Sequence, residues 1–203
     1  MARVNKEYRN EAKERIIVAA IEIAVTKGWG AMTLEAIAQK IGVTTPALYS
    51  YFKNRDSLRD AVVDHAFQKR QTEFETALTR EGTIRQILGD FAELLSLKNS
   101  PYAQILSLLP GEILLDTGQR EKISHAFQVS GATLRDCLAR AKGRGEIPQD
   151  VDLDKTTLFI QSVTIGLQVS VMFMGTVDAR AQKDLWLDSV EKMLYICPQG
   201  GKA

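Results

Sequence analysis

The stretch from Thr33 to Leu58, TLEAIAQKIGVTTPALYSYFKNRDSL, limits what this chain can fold into more than any other segment. Leu34, Ile37, Ala38 and Ile41 fall at i, i+3, i+4 and i+7, so a helix there carries one apolar face. Gly42 supplies the left-handed residue that ends it, and Val43 begins a turn. Thr44 or Thr45 caps a second short helix, with Pro46 in its first turn, where a missing N–H costs nothing. Asn54 then caps a third helix, with Asp56 placed favourably at its start. Two short helices around a tight turn form a helix-turn-helix, which most often sets one helix in the major groove of DNA.

The rest of the chain also reads as helix, and no run alternates with period two for long enough to be a strand. The expected fold is all-α with about nine helices. These cover 7–27, the two short ones, 54–80, 83–97, 100–110, 119–142, 153–174 and 180–196. On the first, Ile16, Ala20, Ile23 and Ala24 form the inner stripe. We place a helix-turn-helix domain at residues 1–55 and a second helical domain at 56–203. The apolar helix from Leu158 to Met174 is interrupted by Gln161, Ser162, Thr164, Gln168 and Ser170. It falls short of the roughly 20 apolar residues that a membrane span needs. No signal peptide is read in MARVNKEYRNEAKER, so a cytoplasmic protein without a membrane partner is expected.

Net charge is +1, but its distribution is uneven. Residues 1–55 hold nine Lys/Arg against five Asp/Glu, and the remainder seventeen against twenty. A basic end on a slightly acidic body suits a chain that meets phosphate at one end only.

The run IAVTKGWGAMTLEAIAQKIGVTTPALYSYFKNRDSL resembles the N-terminal domain of the tetracycline-repressor (TetR) family of bacterial transcription regulators. Trp29 stands where such chains usually have Phe, Pro46 where Gly is common, and Arg55 where Lys is usual. The resemblance implies that Thr33 and its helix N-terminus meet a phosphate. It sets Thr44, Thr45 and Ala47 against base edges, Tyr49 and Tyr51 near the DNA backbone, and Lys53 and Arg55 on flanking phosphates. Leu48 and Phe52, on the opposite face, are core. An arm bearing Arg3, Lys6 and Arg9 adds further positive charge. The recognition helix offers no Arg, Asn or Gln between Thr44 and Tyr51, so specificity leans on methyl contacts, tyrosine and DNA shape.

One such helix reads only a few base pairs, so the resemblance implies a homodimer on a palindromic double-stranded operator. Its surface is expected on the last two helices, at Gly166, Leu167, Val171, Leu187, Val190 and Leu194, with Leu185 beside them. The middle helices are expected to hold a small, mostly apolar effector that releases the operator. Candidate lining residues are Phe67, Phe91, Tyr102, Leu106, Phe127 and Phe173, with Gln161, Thr164 and Gln168 as polar contacts on one helix face. Whether that polar face meets ligand or partner stays open at this point.

Other classes leave less trace. His65 and His125 sit near no nucleophile and in no metal-binding spacing, and there is no phosphate-binding loop, so neither an enzyme, a metal nor a cofactor is expected. Cys137, between Arg135 and Arg140, leaves open a redox- or electrophile-sensing regulator. A helical ligand-binding protein that does not touch DNA is the remaining alternative.

Overall fold

The computed structural model describes residues 2–96, 100–108, 117–174 and 178–194 of the chain, and within these no side chain of residues 2–6, 171–174 or 179. Among the described residues there are nine α-helices and no strand. They are α1 (Ala2–Lys27), α2 (Leu34–Ile41), α3 (Thr45–Tyr49), α4 (Arg55–Thr79), α5 (Ile84–Glu93), α6 (Pro101–Ser107), α7 (Thr117–Gly143), α8 (Leu153–Met174) and α9 (Ala179–Met193). A 3-10 turn at Trp29–Ala31, not foreseen from the sequence, links α1 to α2. None of the described helices is long and apolar enough to cross a membrane.

The helix starts follow local chemistry. Asn54 accepts from the Ser57 N–H at 2.8 Å, while the Ser57 hydroxyl donates back to the Asn54 carbonyl. Thr83 and Gln86 form a reciprocal capping box at the head of α5. The fifth helix stops at Glu93, short of the expected 97. Helix α1 reaches back to Ala2, so the segment read as an arm is helical in its backbone. The Arg3 and Lys6 side chains lie outside the described residues.

The chain divides into two compact units, Met1–Lys69 with Pro101–Leu109, and Arg70–Ser100 with Pro110–Ala203. The first unit therefore runs further along α4 than a cut at residue 55, and it takes in α6. Its core joins Ile16, Ala20, Ile23 and Ala24 of α1 to Ile37 of α2, Leu48 and Phe52, Leu58 and Val62 of α4, and Ile105 of α6. The inner stripe of α1 is the one its 3.6-residue period dictates.

The second unit is built around Trp186, which is wholly buried. Its ring lies 5.4 Å from Phe91, which in turn lies 4.9 Å from Phe74. The indole N–H donates to the Thr164 hydroxyl at 2.9 Å, and that hydroxyl donates to the Ile160 carbonyl at 2.7 Å. A buried indole needs such a partner. Arg70 is almost fully buried, with Nη1 on Glu73 at 2.6 Å, Nη2 on the Leu94 carbonyl at 2.9 Å and its guanidinium 4.2 Å from the Phe74 ring centre. Burial pulls its pKa down and Glu73 opposes that, so the pair survives as a desolvated ion pair.

Candidate nucleic-acid interface

The helix-turn-helix is assembled by short-range bonds. Gly42 adopts φ 73°, ψ 36° and closes α2, with the Val43 N–H bonding back to the Ala38 carbonyl at 3.0 Å. A Cβ on Gly42 would meet nothing within 4 Å, so the backbone angle alone calls for glycine. Thr44 takes the N-cap position of α3, with Pro46 just behind it in the first turn. Its hydroxyl makes no capping bond and is exposed, which leaves it open to a base edge.

Helix α3 turns one side inward and one outward. Leu48 is 1% exposed and Phe52 2%, whereas Tyr49 is 52% exposed. Ala47 and Lys53 are exposed as well, and Thr45 is half-buried. Tyr51 is half-buried, with the Arg9 guanidinium 5.9 Å from its ring centre. That guanidinium also donates to the Ser50 carbonyl at 3.1 Å, tying α1 to the end of α3. Thr33 caps α2 by accepting from the Ala36 N–H at 3.1 Å. It thus stands, half-buried, at a helix N-terminus, where the dipole favours an anion.

Six of the eight sequence-derived positions therefore present an exposed or half-buried side chain next to α3 with no competing bond described. The other two are Thr33, bonded as a cap, and Arg55, which donates to the Trp29 carbonyl at 2.7 Å and the Gly30 carbonyl at 3.4 Å. The sequence carried one hint of that second bond, an Arg where the family resemblance leads one to expect Lys.

The effector-lining candidates are divided between the two units. Tyr102 and Leu106 pack on the core of the first unit, and half-buried Phe67 belongs to that unit too. Phe91 is stacked in the core of the second unit, and Phe127 is 42% exposed on α7. The polar stripe is mostly answered within the chain. Gln161 donates to the Phe127 carbonyl at 2.9 Å and Thr164 receives Trp186, so both serve helix packing; Gln168 is half-buried. Phe173 lies outside the described side chains.

The expected dimer residues need a similar correction. Val190 and Leu194 are 0% exposed in the chain's own core, following Trp186 at four-residue steps along α9 and its C-cap. Leu167 and Leu187 are half-buried against the same core, and Val171 lies outside the described side chains. Of the five described, Gly166 alone is exposed. With it on α8 stand Leu158, Phe159, Ser162 and Val169, all exposed, and Leu185 on α9 is 58% exposed. The spacing 158, 162, 166, 169 was a readable signal, hidden because the apolar residues on the inner side are equally regular.

Cys137 is 1% exposed and burial raises its pKa, an effect that Arg140 and Arg144 only partly oppose. A thiol of that kind reacts slowly. We expect Cys137 to resist a thiol reagent in the folded chain and to react on unfolding; fast labelling under native conditions would restore the redox reading. His65 stacks edge-on against Tyr102 at 5.7 Å and His125 is exposed, and no metal-binding cluster occurs among the described residues.

Residues 16–62 match the family described as bacterial regulatory proteins, tetR family. The chain is 28% identical over 208 residues to the probable HTH-type transcriptional regulator ArpR of Pseudomonas putida, covering 98% of each. It is 31% identical over 121 residues to the uncharacterized HTH-type transcriptional regulator TtgW of the same species, covering 60% of this chain and 85% of that one. Its fold is similar to that of FadR from Bacillus subtilis, solved in complex with stearoyl-CoA, with a TM-score of 0.64 and 21% identity over 87% of this chain and 96% of that one. A helix-turn-helix with an outward-facing recognition helix, carried on an all-helical body, thus comes with relatives that regulate transcription, and the chain belongs to the TetR family of bacterial transcriptional regulators.

Proposed function

We propose that the protein is a ligand-responsive repressor that binds a palindromic operator as a homodimer and leaves it when a small, mostly apolar effector binds. The observation that carries this reading is the two-sidedness of α3, with Leu48 buried and Tyr49 half in solvent. A helix so anchored presents Thr44, Ala47 and Tyr49 to a groove on a backbone that is already ordered. The dimer would form on the outward face of α8 and α9, around Gly166, Val169 and Leu185. An apolar effector is in keeping with the acyl chain of the stearoyl-CoA in complex with the similarly folded FadR. Release requires the effector to prefer one separation of the two recognition helices over another, since equal affinity for both shifts nothing.

The test is a titration of the purified chain with DNA from upstream of its own gene, with random DNA as competitor and salt varied. Specific binding should survive the competitor, and Tyr49→Ala should weaken it by about tenfold, the size of one lost base or backbone contact. Binding that is weak, salt-sensitive and unchanged by Tyr49→Ala would remove the reading.

A further inference from the structure

Arg55 has the charge and the place in the sequence of a phosphate contact, yet its hydrogen bonds run the other way. Nη2 donates to the carbonyls of Trp29, at 2.7 Å, and Gly30, at 3.4 Å. Both belong to the 3-10 turn that leads into Thr33, the N-cap of α2. That turn has little stiffness of its own. Gly28 enters it at φ 83°, Gly30 lies within it, and a Cβ on either would meet nothing within 4 Å. Its internal bonds each span only two or three residues: Ala31 N–H to Gly28 carbonyl at 3.1 Å, Met32 N–H to Trp29 carbonyl at 3.2 Å, Thr33 N–H to Ala31 carbonyl at 3.0 Å. Glycines leave such a segment many competing conformations.

We propose that Arg55 is a positioning residue: it pins the turn ahead of α2, and so presents the α2 N-terminus and Thr33 in fixed register with α3. Arg55 is the first residue of α4 and follows the end of α3 by a few residues, so one guanidinium joins the entrance of α2 to the exit of α3. Lysine is a poor substitute, being shorter and presenting a strongly hydrated point charge. The flanking phosphate charge then falls to Lys53, which is exposed and makes no bond among the described residues. This assignment rests on the DNA-binding reading above, but half of its test does not.

The first arm is hydrogen exchange of the whole chain without DNA. Arg55→Gln should speed exchange at the amides of Ala31, Met32 and Thr33 by about tenfold, as expected for one lost charged hydrogen bond. Arg55→Lys should not restore protection, and Lys53→Gln should leave these amides as they are. The second arm is the salt dependence of binding to DNA from upstream of the gene. Lys53→Gln should flatten the slope by about two per dimer, close to one per phosphate contact. Arg55→Gln should weaken binding with the slope unchanged. Unchanged exchange in Arg55→Gln would overturn the proposal, as would a slope loss equal to that of Lys53→Gln and reversed by Arg55→Lys. If Arg55→Gln does not fold, Arg55→Lys carries both readouts. If the wild-type chain itself binds no DNA specifically, the DNA-binding reading fails, and the exchange arm still decides whether Arg55 holds the turn.

Discussion

Trp186→Ala is expected to destabilise the chain by about 3–5 kcal/mol, the usual range for removing a buried aromatic without collapse of the site. Against a typical total stability of roughly 5–15 kcal/mol this is a large fraction. The ring is 0% exposed and stacks on Phe91, so its loss opens a cavity where Phe91, Leu88 and Val190 meet in one core. Two milder changes separate volume from polarity. Trp186→Phe keeps most of the apolar contact but leaves the Thr164 hydroxyl with its bond to Ile160 alone. Thr164→Val keeps the volume and strands the indole N–H in the core, at a cost of about 1–3 kcal/mol. Combining Trp186→Phe with Thr164→Val should be less harmful than the sum, because the second change then strands nothing. Urea denaturation followed by circular dichroism measures all four. A loss below about 1 kcal/mol in Trp186→Ala would mean that the core refills, and that the aromatic stack is not its centre.

Gly166→Arg should turn the proposed dimer into a monomer without harming the fold of the chain. Gly166 is exposed on α8, and a Cβ there meets nothing within 4 Å, so the arginine finds open space within its own subunit. Across a two-fold interface the same side chain would hold two helices apart and set like charges against each other. Leu158, Phe159 and Val169 would lose their cover with it. Sedimentation should show a dimer for the wild type and a monomer for Gly166→Arg, with the helical circular dichroism signal preserved. Operator affinity should fall by about 10²–10⁴, because two linked half-site contacts become two separate ones. A dimeric Gly166→Arg would place the interface elsewhere. A monomeric variant that kept full affinity would instead remove the dimer from the mechanism.

The helix-turn-helix could be read closely because its determinants are local. Gly42 at positive φ, Pro46 in a first turn and the Asn54 cap each act within about four residues, so their spacing along the chain is their geometry. The same holds for the inner stripe of α1 and for Leu48 and Phe52. Reading failed where a residue's role depends on another element. Leu167, Val190 and Leu194 look like interface residues on a helix apolar on several sides, yet they pack on their own core. Thr164 looks like a ligand contact, but its partner is Trp186, 22 residues away. For Arg55, read as a phosphate contact, the sequence did not show the bond to the carbonyl of Trp29, 26 residues back.

Periodicity along one helix states which side chains share a face, and this is set by 3.6 residues per turn before any packing occurs. By itself the sequence therefore determined the all-helical class, the caps at Asn54 and Thr83, the helix-turn-helix and the two faces of the recognition helix. What each face meets is a different kind of fact. It depends on which other helices arrive and on how their surfaces interlock, and apolar burial is nearly indifferent to the identity of the neighbour. Only the tertiary structure decided that α9 turns Trp186, Val190 and Leu194 inward while α8 leaves Leu158, Gly166 and Val169 outside. It likewise sent Arg55 to a carbonyl, since a guanidinium takes whichever acceptor the packed chain brings within reach.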